Sequence, residues 1–312
     1  MAEESHPSHL PPSELGTKDY WETFYARTLT HISTKQNPNN LNNQETTNAD
    51  SDAESVDDDD DPGTSWFSEY NAPDKVLQFL TEEGFPLAPC NTVPARANHP
   101  SILDLGTGNG SMLALLRKRG GFRGVMVGVD YSARSVELAR ELQRLKMHST
   151  YLTDEEDEDG AGDGGEGEGE GEIRFEEWDI LHSAEEVTEP GKLDWFPYGE
   201  GGFDIVLDKG TFDAVSLSDE VVEGDADVSV AGKKVQRRVC EMYPGVARRL
   251  VKKGGFLVVT SCNWTEEELV MWFTREKGED DRLEVWGRVE YPRFRFGGHE
   301  GQGVCTVCFK RV

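Results

Sequence analysis

A glycine-rich loop that joins a short apolar strand to a helix constrains the fold of this chain more than any other feature. The sequence predicts a strand over 101–105, the loop over 106–110 and a helix over 112–119. A second strand over 125–130 and a second helix over 132–147 follow directly. Strands and helices that alternate with short connections predict a parallel sheet with helices on both faces.

The same alternation continues through the rest of the chain. Apolar runs predict further strands over 173–178, 203–208, 256–261, 283–291 and 304–310. Helices are predicted over 65–83 and 235–250, and another begins after Thr265, which is a favourable cap. The last two strands flank a glycine-rich turn, so we expect them to form a hairpin.

Two acidic tracts interrupt the chain and hold most of its net charge of −28. Neither 45–61 nor 154–172 contains a lysine or an arginine. Such a composition cannot bury enough apolar surface to offset the loss of chain entropy. The sequence therefore predicts a disordered tail over 1–12, a helical segment over 13–32, a disordered acidic linker over 33–63, and one domain over 64–312 with a disordered acidic insertion at about 153–172.

Composition also argues against several classes of function. The folded part has no broad basic face, so we expect no binding of nucleic acid. No apolar run is long enough to span a bilayer, so no membrane association is expected. The five cysteines are an odd, sparse set that indicates a reducing compartment, and we expect the cytoplasm. Cys305 and Cys308 have the CxxC spacing of a metal site, but no second pair follows and both fall in a predicted strand, so we expect no metal site. The lack of a heptad repeat favours a monomer.

Ligands in a parallel sheet of this kind bind beyond the carboxyl ends of the strands, so the residues that follow each strand are the candidate site. Glycines in the loop let a ligand approach the backbone closely, and the next helix presents free N–H groups. Asp130, after the second strand, can accept hydrogen bonds from both hydroxyls of a ribose. After the third strand, Asp179 can accept from an adenine amino group while Ile180 packs against the ring. The alternative for Asp179 is a turn cap.

The spacing of the glycines separates two nucleoside cofactors. A dinucleotide-binding loop has the pattern G-x-G-x-x-G, whose third glycine would fall at position 111, where this chain has Ser111. The pattern G-x-G-x-G suits S-adenosylmethionine, which has no pyrophosphate to bind. The residues predicted to contact this cofactor are Asp104, Gly106, Thr107, Gly108, Asn109, Gly110, Asp130, Tyr131, Asp179, Ile180 and Asp208.

Longer segments carry a more specific signal. They are ILDLGTGNGSMLALL, GVDYS, FDIVLDKGTFDAVSL, KKGGFLVVTSCNWTEEEL, FRFGG and, near the N-terminus, SELGTKDYWETFY. Together they resemble the eukaryotic elongation factor 1-alpha lysine methyltransferases. The resemblance implies a three-layer Rossmann-like α/β sandwich with seven strands in the order 3-2-1-4-5-7-6, the seventh antiparallel. It also implies S-adenosylmethionine-dependent methylation of a lysine on translation elongation factor 1-alpha.

Asp208 is the candidate catalytic residue. It follows the fourth strand, beside the position expected for the reactive methyl group, and we expect it to orient the acceptor amine. The alternative is that its carboxylate only holds its own loop. Two other readings of the function stay open: methylation of a small molecule or of another side chain, and a non-catalytic scaffold that binds the cofactor.

A set of aromatic residues before the glycine loop has two interpretations. They form either a lid over the cofactor and the acceptor lysine or a layer that packs against the sheet. The residues are Tyr20, Trp21, Tyr25, Trp66 and Phe67.

Overall fold

The computed structural model describes residues 7–36, 67, 70–92, 99–146, 172–222, 228–230, 233–235, 237–275, 280–296 and 299–312. The helices in this part of the chain are α1 Lys18–Gln36, α2 Ala72–Thr81, α3 Ser111–Lys118, α4 Ala133–Leu145, α5 Thr211–Ser216, α6 Tyr243–Leu250 and α7 Glu266–Thr274. The strands are β1 Ile102–Leu105, β2 Met126–Asp130, β3 Arg174–Glu177, β4 Phe203–Lys209, β5 Val228–Val230, β6 Lys233–Val235, β7 Val251–Ser261, β8 Leu283–Val289, β9 Arg293–Phe296, β10 His299–Gln302 and β11 Cys305–Arg311.

Seven of these strands form one sheet in the order β3-β2-β1-β4-β7-β11-β8. The first five in that order are parallel, and β11 runs antiparallel to both of its neighbours. Counted as sheet strands along the chain, the order reads 3-2-1-4-5-7-6 with the seventh antiparallel. The predicted fold is therefore confirmed.

Successive residues of each strand point to opposite faces of the sheet, and each face is covered by its own set of helices. Ile102 packs in a buried cluster with side chains from α1 to α4. Its neighbour Leu103 packs in a second cluster with side chains from α5, α6 and α7. This arrangement gives three layers and leaves the carboxyl ends of β1, β2 and β4 at one common edge.

The predicted tail over 1–12 is wrong for its second half. Residues 7–12 lie against the domain: Leu10 packs against the α5–α7 cluster, and its carbonyl accepts a hydrogen bond from Arg238 Nη1 at 2.6 Å. His9 lies 3.3 Å from Glu241. The composition of this segment gives no sign of order because its partners lie more than 200 residues away along the chain.

The predicted linker also begins too early. α1 continues to Gln36, four residues into the segment 33–63, and Ile32 is buried in the first cluster. Two predicted helices are shorter than expected, since α2 begins only at Ala72 and α6 only at Tyr243. Each has a proline in its first turn, where the missing N–H is not needed.

The remainder of the predicted linker, and nearly all of the predicted insertion at 153–172, lie outside the described residues. The segment before α6 contains a small hairpin of β5 and β6 that the sequence did not predict. A second unpredicted hairpin, β9–β10, lies between β8 and β11. Among the described helices, none combines the length and apolarity needed to cross a bilayer. All five cysteines are free thiols.

Candidate functional site

A cavity of about 540 Å³ opens at the edge where β1, β2 and β4 end. Its walls come from the loop after β1, the residues after β2 and β3, the start of α5, and the beginning of α1. Of the residues predicted to bind a cofactor, the structure brings these to the cavity wall: Gly106, Thr107, Gly108, Asp130, Tyr131, Asp179 and Ile180. It does not bring there Asp104, Asn109, Gly110 or Asp208.

The loop after β1 needs glycine because of its close contacts. Gly106 has a φ of +57°, and a Cβ at this position would lie 2.2 Å from Thr211 Oγ1. That hydroxyl donates to the Leu105 carbonyl at 2.6 Å and so joins α5 to the end of β1. Gly108 has a φ of +58°, and its α-carbon faces the Tyr25 hydroxyl on α1. The loop therefore presents bare backbone to the cavity.

Asp130 is held in the cavity wall by three hydrogen bonds. Oδ1 accepts the Ser132 N–H at 2.9 Å, while Oδ2 accepts the Gly108 N–H at 3.1 Å and the Ser135 hydroxyl at 2.7 Å. Burial raises the pKa of this carboxyl, and the three hydrogen bonds oppose that effect. A carboxylate has about four lone-pair positions, so Oδ1 retains a place for one hydroxyl from a ligand.

Three of the predicted residues support the loop from behind. Asp104 is buried and accepts the Thr107 hydroxyl at 2.9 Å, and its burial raises its pKa to about 6. Asn109 Oδ1 accepts the Ser111 N–H at 3.1 Å at the start of α3. A Cβ on Gly110 would lie 2.6 Å from the Phe175 ring. None of the three lines the cavity, and the contact with a cofactor predicted for them stays a prediction.

Asp179 lies at the wall but also makes the turn cap that was its alternative interpretation. Its Oδ1 accepts the N–H groups of Leu181 and His182 at 2.9 and 3.2 Å. Its Oδ2 lies 2.9 Å from His182 Nδ1, and His182 Nε2 lies 2.7 Å from Glu220 Oε1. His182 thus links the loop after β3 to the loop after α5 across one side of the cavity.

The catalytic role of Asp208 stays a prediction, and the structure places this residue outside the cavity lining. The side chain is buried beneath the cavity, where it accepts the N–H groups of Thr211 and Phe212 at 2.9 and 3.2 Å. The Tyr243 hydroxyl donates to Oδ2 at 2.8 Å. Burial raises the pKa of this carboxyl to about 7. Asp208 therefore anchors the start of α5, which was the alternative interpretation.

Sequence reasoning missed the contribution of the chain start to the cavity. The segment from Gly16 to Asp19 lines it, and Ser13 N–H donates to the Leu217 carbonyl at 3.0 Å. Gly16 passes so close to Leu217 that a Cβ would lie 2.3 Å from its carbonyl carbon. Glu22 Oε1 accepts the Ala133 N–H at 2.8 Å, which fixes α1 to the start of α4.

The predicted aromatic set divides between two places. Trp21 and Tyr25 line the cavity and are buried, with Trp21 Nε1 donating to the Leu15 carbonyl at 2.8 Å. Tyr20 packs at the edge of the first cluster. Phe67 belongs to a separate small cluster with Tyr291, and Trp66 lies outside the described residues. Among the described members of the set, Trp21 and Tyr25 on α1 line the cavity.

Comparison with known proteins decides the family. A family model described as a methyltransferase domain matches residues 97–153, which include the glycine loop and Asp130. The chain is 33% identical to protein-lysine N-methyltransferase EFM4 of Saccharomyces cerevisiae over 301 residues, which is 96% of each chain. The chain belongs to the EFM4 family of protein-lysine N-methyltransferases.

The chain is also similar to relatives of EFM4 in two other species. The chain is 28% identical to protein-lysine N-methyltransferase efm4 of Schizosaccharomyces pombe, over 97% of this chain and 96% of the relative. It is 26% identical to human EEF1A lysine methyltransferase 2, over 96% of this chain and 88% of the relative. The resemblance read from the sequence is confirmed.

The two most specific segments of this EFM4-family chain, DKGTFDA and SCNWT, contact each other. Asp213, on α5, accepts the Ser261 hydroxyl at 2.5 Å and the Cys262 N–H at 2.8 Å at the end of β7. Trp264 Nε1 donates to the Ser216 hydroxyl at 3.2 Å. The two segments therefore form one support that joins α5 to the end of β7.

Proposed function

We propose that this protein transfers a methyl group from S-adenosylmethionine to the side-chain amine of a lysine on translation elongation factor 1-alpha (EEF1A). The observation that carries the proposal is the 33% identity to the yeast EFM4 enzyme over 96% of both chains. Relatives in zebrafish, human and mouse are named EEF1A lysine methyltransferase 2. The cytoplasm, where we expect this reaction, suits a chain with free cysteine thiols.

The cavity fits the proposed methyl donor in size and in chemistry. Its volume of about 540 Å³ lies in the range of small-molecule sites, and the backbone of Gly106 and Gly108 forms part of its wall. Asp130 Oδ1 can accept a ribose hydroxyl, and the wall after β3 offers Ile180 to an adenine ring. The adenosine would then lie toward β3, and the methionine end toward β1 and β4.

S-adenosylmethionine, when bound, supplies a methyl group on a positively charged sulfur atom that an amine can displace in line. The acceptor lysine has to be neutral to attack, and at pH 7 its deprotonation costs roughly 4–5 kcal/mol from a reference pKa near 10.4. The chain contributes by positioning the amine and by excluding water with α1, from which Trp21 and Tyr25 cover the loop.

A methylation assay tests the proposal. Purified protein is incubated with labelled S-adenosylmethionine and EEF1A, and the label is located by peptide mass spectrometry. We expect incorporation at one lysine, lost when that lysine is changed to arginine. Asp130→Asn should reduce incorporation, whereas Asp194→Asn, an exposed acid paired with Arg174 away from the cavity, should not. Binding of the methyl donor without transfer to EEF1A would overturn the assignment of the acceptor.

A further inference from the structure

Lys209 lies at the end of β4, in the wall of the cavity, and none of the described carboxylates forms an ion pair with it. Lys209 follows Asp208 and is paired across the sheet with Thr260 of β7. Within the described residues, no carboxylate oxygen lies within ion-pair distance of its Nζ, whereas the other cavity lysine, Lys18, lies 3.5 Å from Glu177. An ammonium with no paired acid in a cavity for a sulfonium and a second ammonium needs an explanation.

An aromatic ring holds this ammonium in place. Lys209 Nζ lies 5.7 Å from the centroid of Phe67, a geometry in which the ring face attracts a cation. Phe67 has a φ of +73°, a backbone conformation that residues other than glycine rarely adopt. Its ring is buried with Ala72, Tyr291 and Val304. The contact orients the side chain of a residue that lines the cavity, and an aromatic ring does not remove its positive charge.

The order of the strands places this charge on the acceptor side of the methyl donor. Asp130 follows β2 and Asp179 follows β3, so an adenosine held by them points toward the β3 edge. The methyl group then lies toward β1 and β4, where Leu105 is paired with Asp208 and Lys209 comes next. Lys209 also lies near enough to Asp104 to lower the pKa of that carboxyl.

We propose that Lys209 keeps the acceptor lysine in its neutral, nucleophilic form by placing a fixed positive charge beside it. The inference rests on the proposed function, since it concerns the same cavity and an amine substrate. A second ammonium next to Lys209 is repelled, so the acceptor releases its proton to water and retains the electron pair on nitrogen. No covalent change occurs at Lys209 itself.

The wall of the cavity carries other charged groups besides Lys209. Acids in the cavity wall attract a cationic side chain, whereas Lys209, at the end of β4, disfavours a positive charge placed beside it. The titratable and charged groups that share the cavity or face Lys209 from the packed elements are Lys18, Asp19, Tyr25, Asp104, Asp130, Tyr131, Asp179, His182, Asp219 and Glu220.

Single-turnover methylation of EEF1A between pH 7 and pH 10 tests the proposal with Lys209→Met and Lys209→Arg. The acceptor pKa in the complex should rise by about one unit in Lys209→Met, so the rate falls about tenfold at pH 7.5 and recovers near pH 10. Lys209→Arg should follow the wild-type profile. Lys75→Met is the matched control, because Lys75 Nζ lies 5.6 Å from the Tyr291 ring in the same cluster but outside the cavity.

Calorimetry supplies a second readout that needs no protein substrate. A fixed cation near the sulfur disfavours the sulfonium relative to the neutral thioether, so Lys209→Met should shift the ratio of affinities severalfold toward S-adenosylmethionine over S-adenosylhomocysteine. This shift would persist if EEF1A were the wrong acceptor. Equal weakening of both ligands would instead make Lys209 a partner of the methionine carboxylate and overturn the proposal, as would a loss of rate that is the same at every pH.

Discussion

The backbone N–H of Gly108 donates to Asp130 Oδ2 at 3.1 Å, which joins the glycine loop after β1 directly to the acid after β2. The two halves of the predicted cofactor site are therefore one hydrogen-bonded unit. Ser135 on α4 extends it, because its hydroxyl lies 2.7 Å from the same carboxylate oxygen and 2.8 Å from the Gly108 carbonyl. A substitution at any one of Gly108, Asp130 and Ser135 should therefore alter the hydrogen bonds of the other two.

Gly106→Ala should destabilise the protein more than a comparable glycine substitution elsewhere. The new Cβ would lie 2.2 Å from Thr211 Oγ1 and would break the contact between that hydroxyl and Leu105. Gly191→Ala is the matched control, since Gly191 has a φ of +89° but open space around it. Both substitutions carry a left-handed backbone cost of about 1–2 kcal/mol, and only Gly106→Ala adds a clash. Equal free energies of unfolding in urea would contradict this account of the loop.

Asp208→Asn should leave catalysis nearly intact. The amide oxygen can still accept from Thr211 and Phe212, and the amide nitrogen can donate to the Tyr243 hydroxyl. We expect a turnover number within about threefold of wild type, in keeping with an anchoring role. A tenfold loss of turnover with unchanged binding of S-adenosylmethionine would restore Asp208 as a catalytic residue.

The same variant should change how stability depends on pH. Burial raises the folded-state pKa of Asp208 to about 7, above the unfolded value near 3.9, so the folded protein binds more protons between these values. Stability linked to this group is full below pH 4 and is lost as pH rises to about 7, on the order of 1.4 kcal/mol per unit. Denaturation from pH 4.5 to 7.5 should show a smaller decline for Asp208→Asn than for wild type. If the stability of the two proteins changed with pH in the same way, the Asp208 carboxylate would be ionised in the folded protein at no cost in free energy.

Glu220→Gln should lower the pKa of His182. Although burial lowers that pKa, hydrogen bonds and charges from Asp179 and Glu220 raise it above the ordinary value. Loss of one charge should reduce it, which an NMR titration of labelled histidine can measure. Glu185→Gln, which changes an exposed acid in the neighbouring 3₁₀ turn, should leave the titration of His182 as it is in wild type. An unchanged titration midpoint of His182 in Glu220→Gln would contradict the contact by which His182 links the two loops.

The sequence could predict the parts of the site that depend on neighbours along the chain. The loop from Gly106 to Gly110, the cap by Ser132 and the acid at the end of β2 each follow from local spacing. The sheet order came from resemblance rather than from pattern, because periodicity does not tell which strands pair. The structure then confirmed both the local elements and the order.

What the sequence could not predict depends on contacts between distant segments. Arg238 joins the Leu10 carbonyl to those of Ser216 and Ser218, and nothing in the spacing of these residues indicates the contact. The sequence left two interpretations of Asp208 open for a related reason. Position at a strand end does not tell whether a carboxylate faces the cavity or accepts from the next helix, and here Tyr243, 35 residues away, completes its burial.

Calorimetric titration of S-adenosylmethionine into wild type and Asp130→Asn tests the central claim most directly. The account predicts one ligand per chain and binding weaker by at least about tenfold in the variant, since an amide cannot serve Gly108, Ser132, Ser135 and a ribose hydroxyl together. Asp194→Asn should bind as tightly as wild type. No heat of binding in the wild-type protein, or equal affinity in the wild type and Asp130→Asn, would contradict the claim that this cavity holds the methyl donor.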